Sequence, residues 1–151
     1  MIIRKLTILS VSLILSMPSF ARQRSETEFY AQLLREQLSG AEMPVAFTSG
    51  TSIGRLCQIG RYSVVHYVNV SPSSQHEHRA LLIFKGRRYL RYYAADETRN
   101  CRCDRLHLMC DSTFFPKLHE SVALEDLLAG RAIVIGAAVA PAYPASRRVS
   151  P

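Results

Sequence analysis

Residues 79–94 read RALLIFKGRRYLRYYA. An apolar run, Ala80 to Phe84, leads into Lys85; after Gly86-Arg87 the chain returns through Tyr89, Leu90, Tyr92 and Tyr93. Glycine takes the positive φ of a tight hairpin turn without a Cβ clash, so the stretch is predicted to be a central β-hairpin, residues 79–94. A turn at Gly86-Arg87 sets Lys85 opposite Arg88, Phe84 opposite Tyr89, Ile83 opposite Leu90, Leu82 opposite Arg91, Leu81 opposite Tyr92 and Ala80 opposite Tyr93. On that register Leu81, Ile83, Leu90 and Tyr92 face the core, and Leu82, Phe84, Tyr89, Arg91 and Tyr93 share the other face.

Upstream, Tyr62, Val64, His66, Val68 and Val70 alternate with Ser63, Val65, Tyr67 and Asn69, a period of two that reads as a strand. Gly60 separates it from a shorter candidate strand, Gly54 to Ile59, and Ser71 to His78 is a polar loop. Further back, Ser25 and Glu28 form a capping-box pair ahead of Phe29, Tyr30, Leu33, Leu34 and Leu38, which predicts an amphipathic helix running to Gly40. Ala41 to Thr51 reads as a connection.

Downstream, Asp96 to Asp104 reads as polar turn and Leu106 to Met109 as a short strand between cysteines. Ser121 is the expected cap of a short helix through Ala129, stopped at Gly130. Ala132 to Ala140 is a last strand or buried segment, and 141–151, with three prolines, a flexible tail. This order predicts an α+β domain, 22–140, built on a mostly antiparallel sheet with helices packed on it.

Residues 1–21 have the three regions of a secretory signal peptide: basic Arg4-Lys5, an apolar run from Leu6 to Leu15, and Ser19-Phe20-Ala21 before the expected cleavage. The apolar run is too short for a roughly 30 Å hydrocarbon core. An exported chain with four cysteines, Cys57, Cys101, Cys103 and Cys110, reads as two disulfides. A Cys101 to Cys103 bridge closes a very small ring, so Cys57 is expected to pair within the Cys101 to Cys110 region. Such a link closes a loop of roughly 45 to 55 residues, worth on the order of 3 to 4 kcal/mol. The rival reading, a four-thiolate zinc site, lacks the usual ligand spacing.

The chain of 151 residues carries a formal charge of +7, of which +5 remains after Ala21. Eight basic residues lie between Arg79 and Arg105 against Asp96, Glu97 and Asp104, so this stretch equals the net excess of the whole mature chain. Phe84, Arg87, Arg88, Tyr89, Arg91 and Tyr93 are therefore the candidate binding residues. Arginine offers a planar fork to carboxylate or phosphate, and tyrosine adds stiff contact area. Lys85 beside Arg88 is a like-charge pair that an anion relieves. The competing reading covers the aromatic face with a helix and leaves the arginines as solvated edges.

His76-Glu77-His78 in an extended segment points two imidazoles the same way, and with His66 is the alternative metal site. His66 otherwise reads as a core histidine. His107, Lys117 and His119 are loose parts for acid–base chemistry without a matching fingerprint. No cofactor motif or nucleic-acid reader motif is present, so no cofactor and no nucleic-acid partner are expected. The expectation is an exported, non-enzymatic binding domain for an acidic protein or an anionic envelope polymer. The alternatives are a small exported hydrolase or metal-dependent enzyme, and an inhibitor or immunity protein for a secreted toxin or hydrolase.

Overall fold

Ala80 to Phe84 carry no polar side chain because both of their faces are covered. The computed structural model describes residues 19–38, 46–113, 119–135 and 138–144. Among them, helix α1 (Ser19–Gln37) is followed by strands β1 (Thr51–Ile59), β2 (Tyr62–Val70), β3 (Glu77–Lys85) and β4 (Arg88–Ala94). Strands β5 (Thr98–Asp104), β6 (His107–Ser112) and β7 (His119–Ala123) lead to helix α2 (Leu124–Ala129), then β8 (Ile133–Ile135), β9 (Ala138–Ala140) and β10 (Tyr143–Pro144). The described strands form a five-stranded sheet in the order β1-β2-β3-β4-β10, a three-stranded sheet β5-β6-β7 and a two-stranded β8-β9, and every pairing is antiparallel. The α+β, mostly antiparallel class is the observed one.

The five-stranded sheet is the middle layer. On one side Leu82, Phe84, Tyr89, Val65, Tyr67 and Ile53 are buried with Tyr30, Leu33 and Leu34 of α1. On the other, Leu81, Ile83, Val64 and Tyr93 are buried with Leu108 and Cys110 of the second sheet and with Leu124 and Leu127 of α2. Each fully buried Leu, Ile or Phe contributes roughly 1.5 to 3 kcal/mol, so β3, buried on both faces, anchors two cores at once.

The hairpin register differs from the expected one beyond its first two pairs. Lys85 faces Arg88 and Phe84 faces Tyr89, but the ladder then shifts, so Ile83 faces Arg91, Leu82 faces Tyr92, Leu81 faces Tyr93 and Ala80 faces Ala94. The extra residue of this bulge, Leu90, moves the rest of β4 to the opposite face. Tyr93 thus enters the second core in place of Tyr92, and Tyr92 goes to the α1 side.

Other expectations are corrected. Helix α1 begins at Ser19, so Ser25 lies inside it and is not a cap. Glu28 instead meets Arg24 at 3.3 Å, and Arg22 meets Glu26 at 3.9 Å, one helical turn apart. β1 starts at Thr51 rather than Gly54. The polar stretch expected as turn is strand β5 over Thr98–Asp104, because its inward residues include two cysteines and its outward ones face water. Ser121 is part of β7, paired with Met109, and α2 starts after Ala123 with no side-chain cap. Gly130 does stop α2, at φ 75°. Residues 132–140 hold two short strands, and the tail is partly fixed, since Tyr143 pairs with Tyr92 and stacks on its ring at 4.7 Å. Residues 1–18 of the expected leader, Gly40 and 145–151 lie outside the described residues.

α1 also hydrogen-bonds the β1 edge and the turn end of β4, ahead of its pairing with β10, through side chains. The Thr27 hydroxyl donates to the Ile53 carbonyl and accepts from the Ile53 N–H, and Glu26 accepts from the Arg55 N–H at 3.1 Å, all on the β1 edge. At the β4 edge, Gln37 Nε2 donates to the Arg87 carbonyl at 2.6 Å while its Oε1 accepts from the Tyr89 N–H at 2.8 Å. From Thr27 to Gln37 the helix rises about 15 Å, and three strand spacings from β1 to β4 are about 14 Å. Helix length is thus matched to the span from β1 to β4, and these backbone groups, which otherwise invite pairing with another chain, are satisfied.

Candidate cationic end

Two hairpins turn side by side at one end of the main sheet. Each uses a Gly-Arg pair, Gly60-Arg61 and Gly86-Arg87, with the glycines at φ 58° and 59°. Glycine at the first central position is what a twisted two-residue turn demands. The Gly86 N–H donates to the Arg61 carbonyl at 2.7 Å, which locks the two turns together. The sequence signal for this was the repeated Gly-Arg dipeptide; Arg61 was not among the candidates.

This end carries Arg61, Lys85, Arg87 and Arg88, all exposed. Lys85 and Arg88 are directly opposed, as the register required. Lys85 leans over the Tyr62 ring, 5.3 Å from its centroid, and Arg87 over Phe29 at 5.6 Å, so aromatic faces hold two of the four cations in place. Arg87 also lies 3.8 Å from Glu36, an exposed pair of little energetic weight. Arg61 and Arg88 have no hydrogen-bonded or ion-paired side-chain partner among the described residues.

The aromatic half of the candidate set lies elsewhere. Phe84, Tyr89 and Tyr93 are core residues, at most 4% exposed. Burial pushes the Tyr89 hydroxyl well above the usual phenol range, and that hydroxyl has no partner. Tyr93 donates to the Arg131 carbonyl at 2.9 Å, at the end of α2. Arg91 shares its face. Its guanidinium lies over Gly130, where a Cβ would meet Nη1 at 1.7 Å, and its Nε is buried without a partner. Cations at a helix C-terminus are stabilising, so Arg91 acts on the fold. Of the six candidates, Arg87 and Arg88 remain at the surface, and Arg61 and Lys85 join them.

All four cysteines are disulfide-bonded, Cys57 to Cys103 and Cys101 to Cys110. Cys57 is thus tied into the expected region, and no thiolate is left for a four-cysteine zinc site. The two disulfides are compatible with an extracellular or periplasmic location. Among the described residues no helix is long and apolar enough to cross a membrane.

His76 and His78 are exposed, and His78 Nδ1 lies 3.9 Å from Asp96. His66 lies on β2 opposite Leu81, while His78 is opposite Asn69, three residues further along. Among the described residues no group of three His, Cys, Asp or Glu side chains is placed to hold a metal. Burial, with a smaller contribution from the Arg79 charge, holds His66 down to about 4, and its Nε2 is buried without a partner. His107 faces Ala123 and His119 faces Asp111, four residues apart in register; Lys117 is outside the described residues. A groove of about 420 Å³ between α1 and 47–51 is lined by Thr27, Glu28, Gln32, Arg35 and Thr48 among others. Its Thr48 hydroxyl is already bonded to Asn69 at 2.6 Å.

No protein family, curated protein or solved structure matches the chain. The geometry of the turns therefore carries the functional reading.

Proposed function

We propose that the protein is an exported, non-enzymatic binding domain whose cationic end contacts an anionic partner, an acidic protein or an anionic envelope polymer. The observation that supports this is the pair of locked Gly-Arg turns, which gathers Arg61, Lys85, Arg87 and Arg88, with Glu36 beside Arg87. Like charges this close repel, and a carboxylate or phosphate set between them removes the repulsion. In this reading the leader is removed after Ala21. The amphipathic part of α1 stays on the sheet and holds the turns through Gln37, and the disulfides form outside the cytoplasm.

The test is capture of partners from envelope extracts by the oxidised protein, repeated at rising salt. Reversing both unpaired cations, Arg61→Glu with Arg88→Glu, is expected to lower capture at least tenfold with the thermal melt within a few degrees of wild type. Capture should also weaken with ionic strength, as screening shortens from roughly 10 Å at 0.1 M toward 3 Å at 1 M. Capture unchanged by the double reversal would reject this surface.

A further inference from the structure

The tip of the β5–β6 hairpin breaks two local rules at once. Its first turn residue is Arg105 at φ 51°, where the β1–β2 and β3–β4 turns have Gly60 and Gly86. A side chain in this left-handed region is strained, and such strain persists where the surroundings impose it. Its second turn residue is Leu106, whose side chain is 73% exposed. The backbone beneath is braced. The Leu106 carbonyl accepts from the Leu124 N–H at 2.9 Å, Cys103 is bonded to Cys57, and Cys101 to Cys110. Leu106 is thereby held out rather than folded back. Around it Arg102, Asp104, Arg105 and His107 are exposed, and none has a side-chain partner among the described residues.

We propose that this tip docks on an anionic lipid surface, with Leu106 entering the boundary between headgroups and acyl chains and Arg102 and Arg105 holding lipid phosphates. The tip is convex and narrow. A stable protein interface buries about 800 Å² on each partner around an apolar centre, which a two-residue turn does not provide. A bilayer is fluid and closes around a single protruding side chain, and anionic headgroups attract each nearby arginine independently of the Leu burial. Apolar point, flanking cations and rigid base are the features such a contact uses.

The chain has no tryptophan, so Leu106→Trp in the full, oxidised chain places a lone reporter at the tip. Phosphatidylglycerol-containing vesicles are expected to shift its emission to the blue, and lipids brominated near the headgroup to quench it; pure phosphatidylcholine should do neither. The signal is local to residue 106, so contact made through the apolar run Leu6 to Leu15 does not produce it. Val134→Trp, at a position 64% exposed on β8, is the control and should stay unshifted. Neutralising Arg102→Gln and Arg105→Gln is expected to weaken the vesicle titration by about fivefold each. Arg105→Gly should raise the melting temperature while weakening binding by the same factor, a combination that a purely structural turn does not give. Arg61→Glu with Arg88→Glu should leave the tip signal in place, which separates this contact from the cationic end. An unshifted Trp at 106, an equal shift at 134, or an equal response to phosphatidylcholine would overturn the proposal. So would a shift with polyglutamate and none with vesicles, which assigns the tip to an acidic protein.

Discussion

The β3–β4 and β5–β6 hairpins solve the same problem by opposite means. The first turns on glycine at φ 59°, buries both faces of its first strand and carries no covalent staple. Its free edge is held by one side chain, Gln37, and by the two-residue strand β10. The second turns on a strained arginine, covers one face, and is tied by two disulfides, one to β1 and one within itself. Where burial is ample the chain needs only correct turn chemistry and a closed edge. Where it is scant, covalent bonds carry the hairpin and leave room for unfavourable residues at the tip.

Removing the tether is the most severe way to break this contrast. Cys57→Ser with Cys103→Ser opens a link spanning 46 residues. It should cost about 4 kcal/mol, against about 3 kcal/mol for Cys101→Ser with Cys110→Ser, whose link spans 9. Denaturant midpoints of the two double variants check the order; equal losses would show that strain or residual structure, not loop length, sets the value.

The next effect is confined to the main sheet. His66 is held down to about 4, below its ordinary 6.5, because the folded state disfavours its charged form. The unfolded chain therefore binds the proton more tightly, so the associated stability is complete above pH 6.5 and is lost as pH falls toward 4. The full loss is about 3 kcal/mol at 1.36 kcal/mol per unit. Stability measured against pH for wild type and His66→Leu should diverge across that window; parallel curves would remove His66 from the account.

Edge closure is tested by Gln37→Leu, which leaves the Arg87 carbonyl and Tyr89 N–H without their partner. A loss of about 1 to 3 kcal/mol is expected. Self-association should rise with concentration in sedimentation, because an open edge templates strand pairing. The smallest effects compare the turns directly. Gly86→Ala should cost about 1 kcal/mol, and Arg105→Gly should gain about as much, since a Cβ is disfavoured at positive φ in both places. Opposite signs in thermal melts support the contrast; a loss at both would mean that Arg105 makes a contact worth more than its strain.

Much of the fold was readable in local pattern. The alternation of Tyr62 to Val70, the apolar run of Ala80 to Phe84, and Gly86 and Gly130 as stops all report periods and φ preferences that act within a few residues. The bulge at Leu90 was not readable, because Tyr92 and Tyr93 are interchangeable by propensity, and the choice between them rests on which core each ring fills. β5 was missed because Asn100, at φ 47°, interrupts its alternation between Thr98 and Cys103. The candidate site divided the same way. Arg87 and Arg88 follow from the turn, whereas the burial of Phe84, Tyr89 and Tyr93 follows from layers contributed by distant segments.

Turn positions, strand periods, the gathering of positive charge near residues 79–105 and the even cysteine count are properties of the chain read along its length, since each arises from neighbouring residues or from composition. Cysteine pairing, the face each tyrosine occupies, the Gln37 and Thr27 closures and the bond that sets the Gly60-Arg61 turn against Gly86 arose only in three dimensions. The Cys57–Cys103 bond and the Thr27 and Gln37 closures join residues 26 to 52 positions apart, and at that range packing and hydrogen-bond satisfaction, not local preference, select the partner.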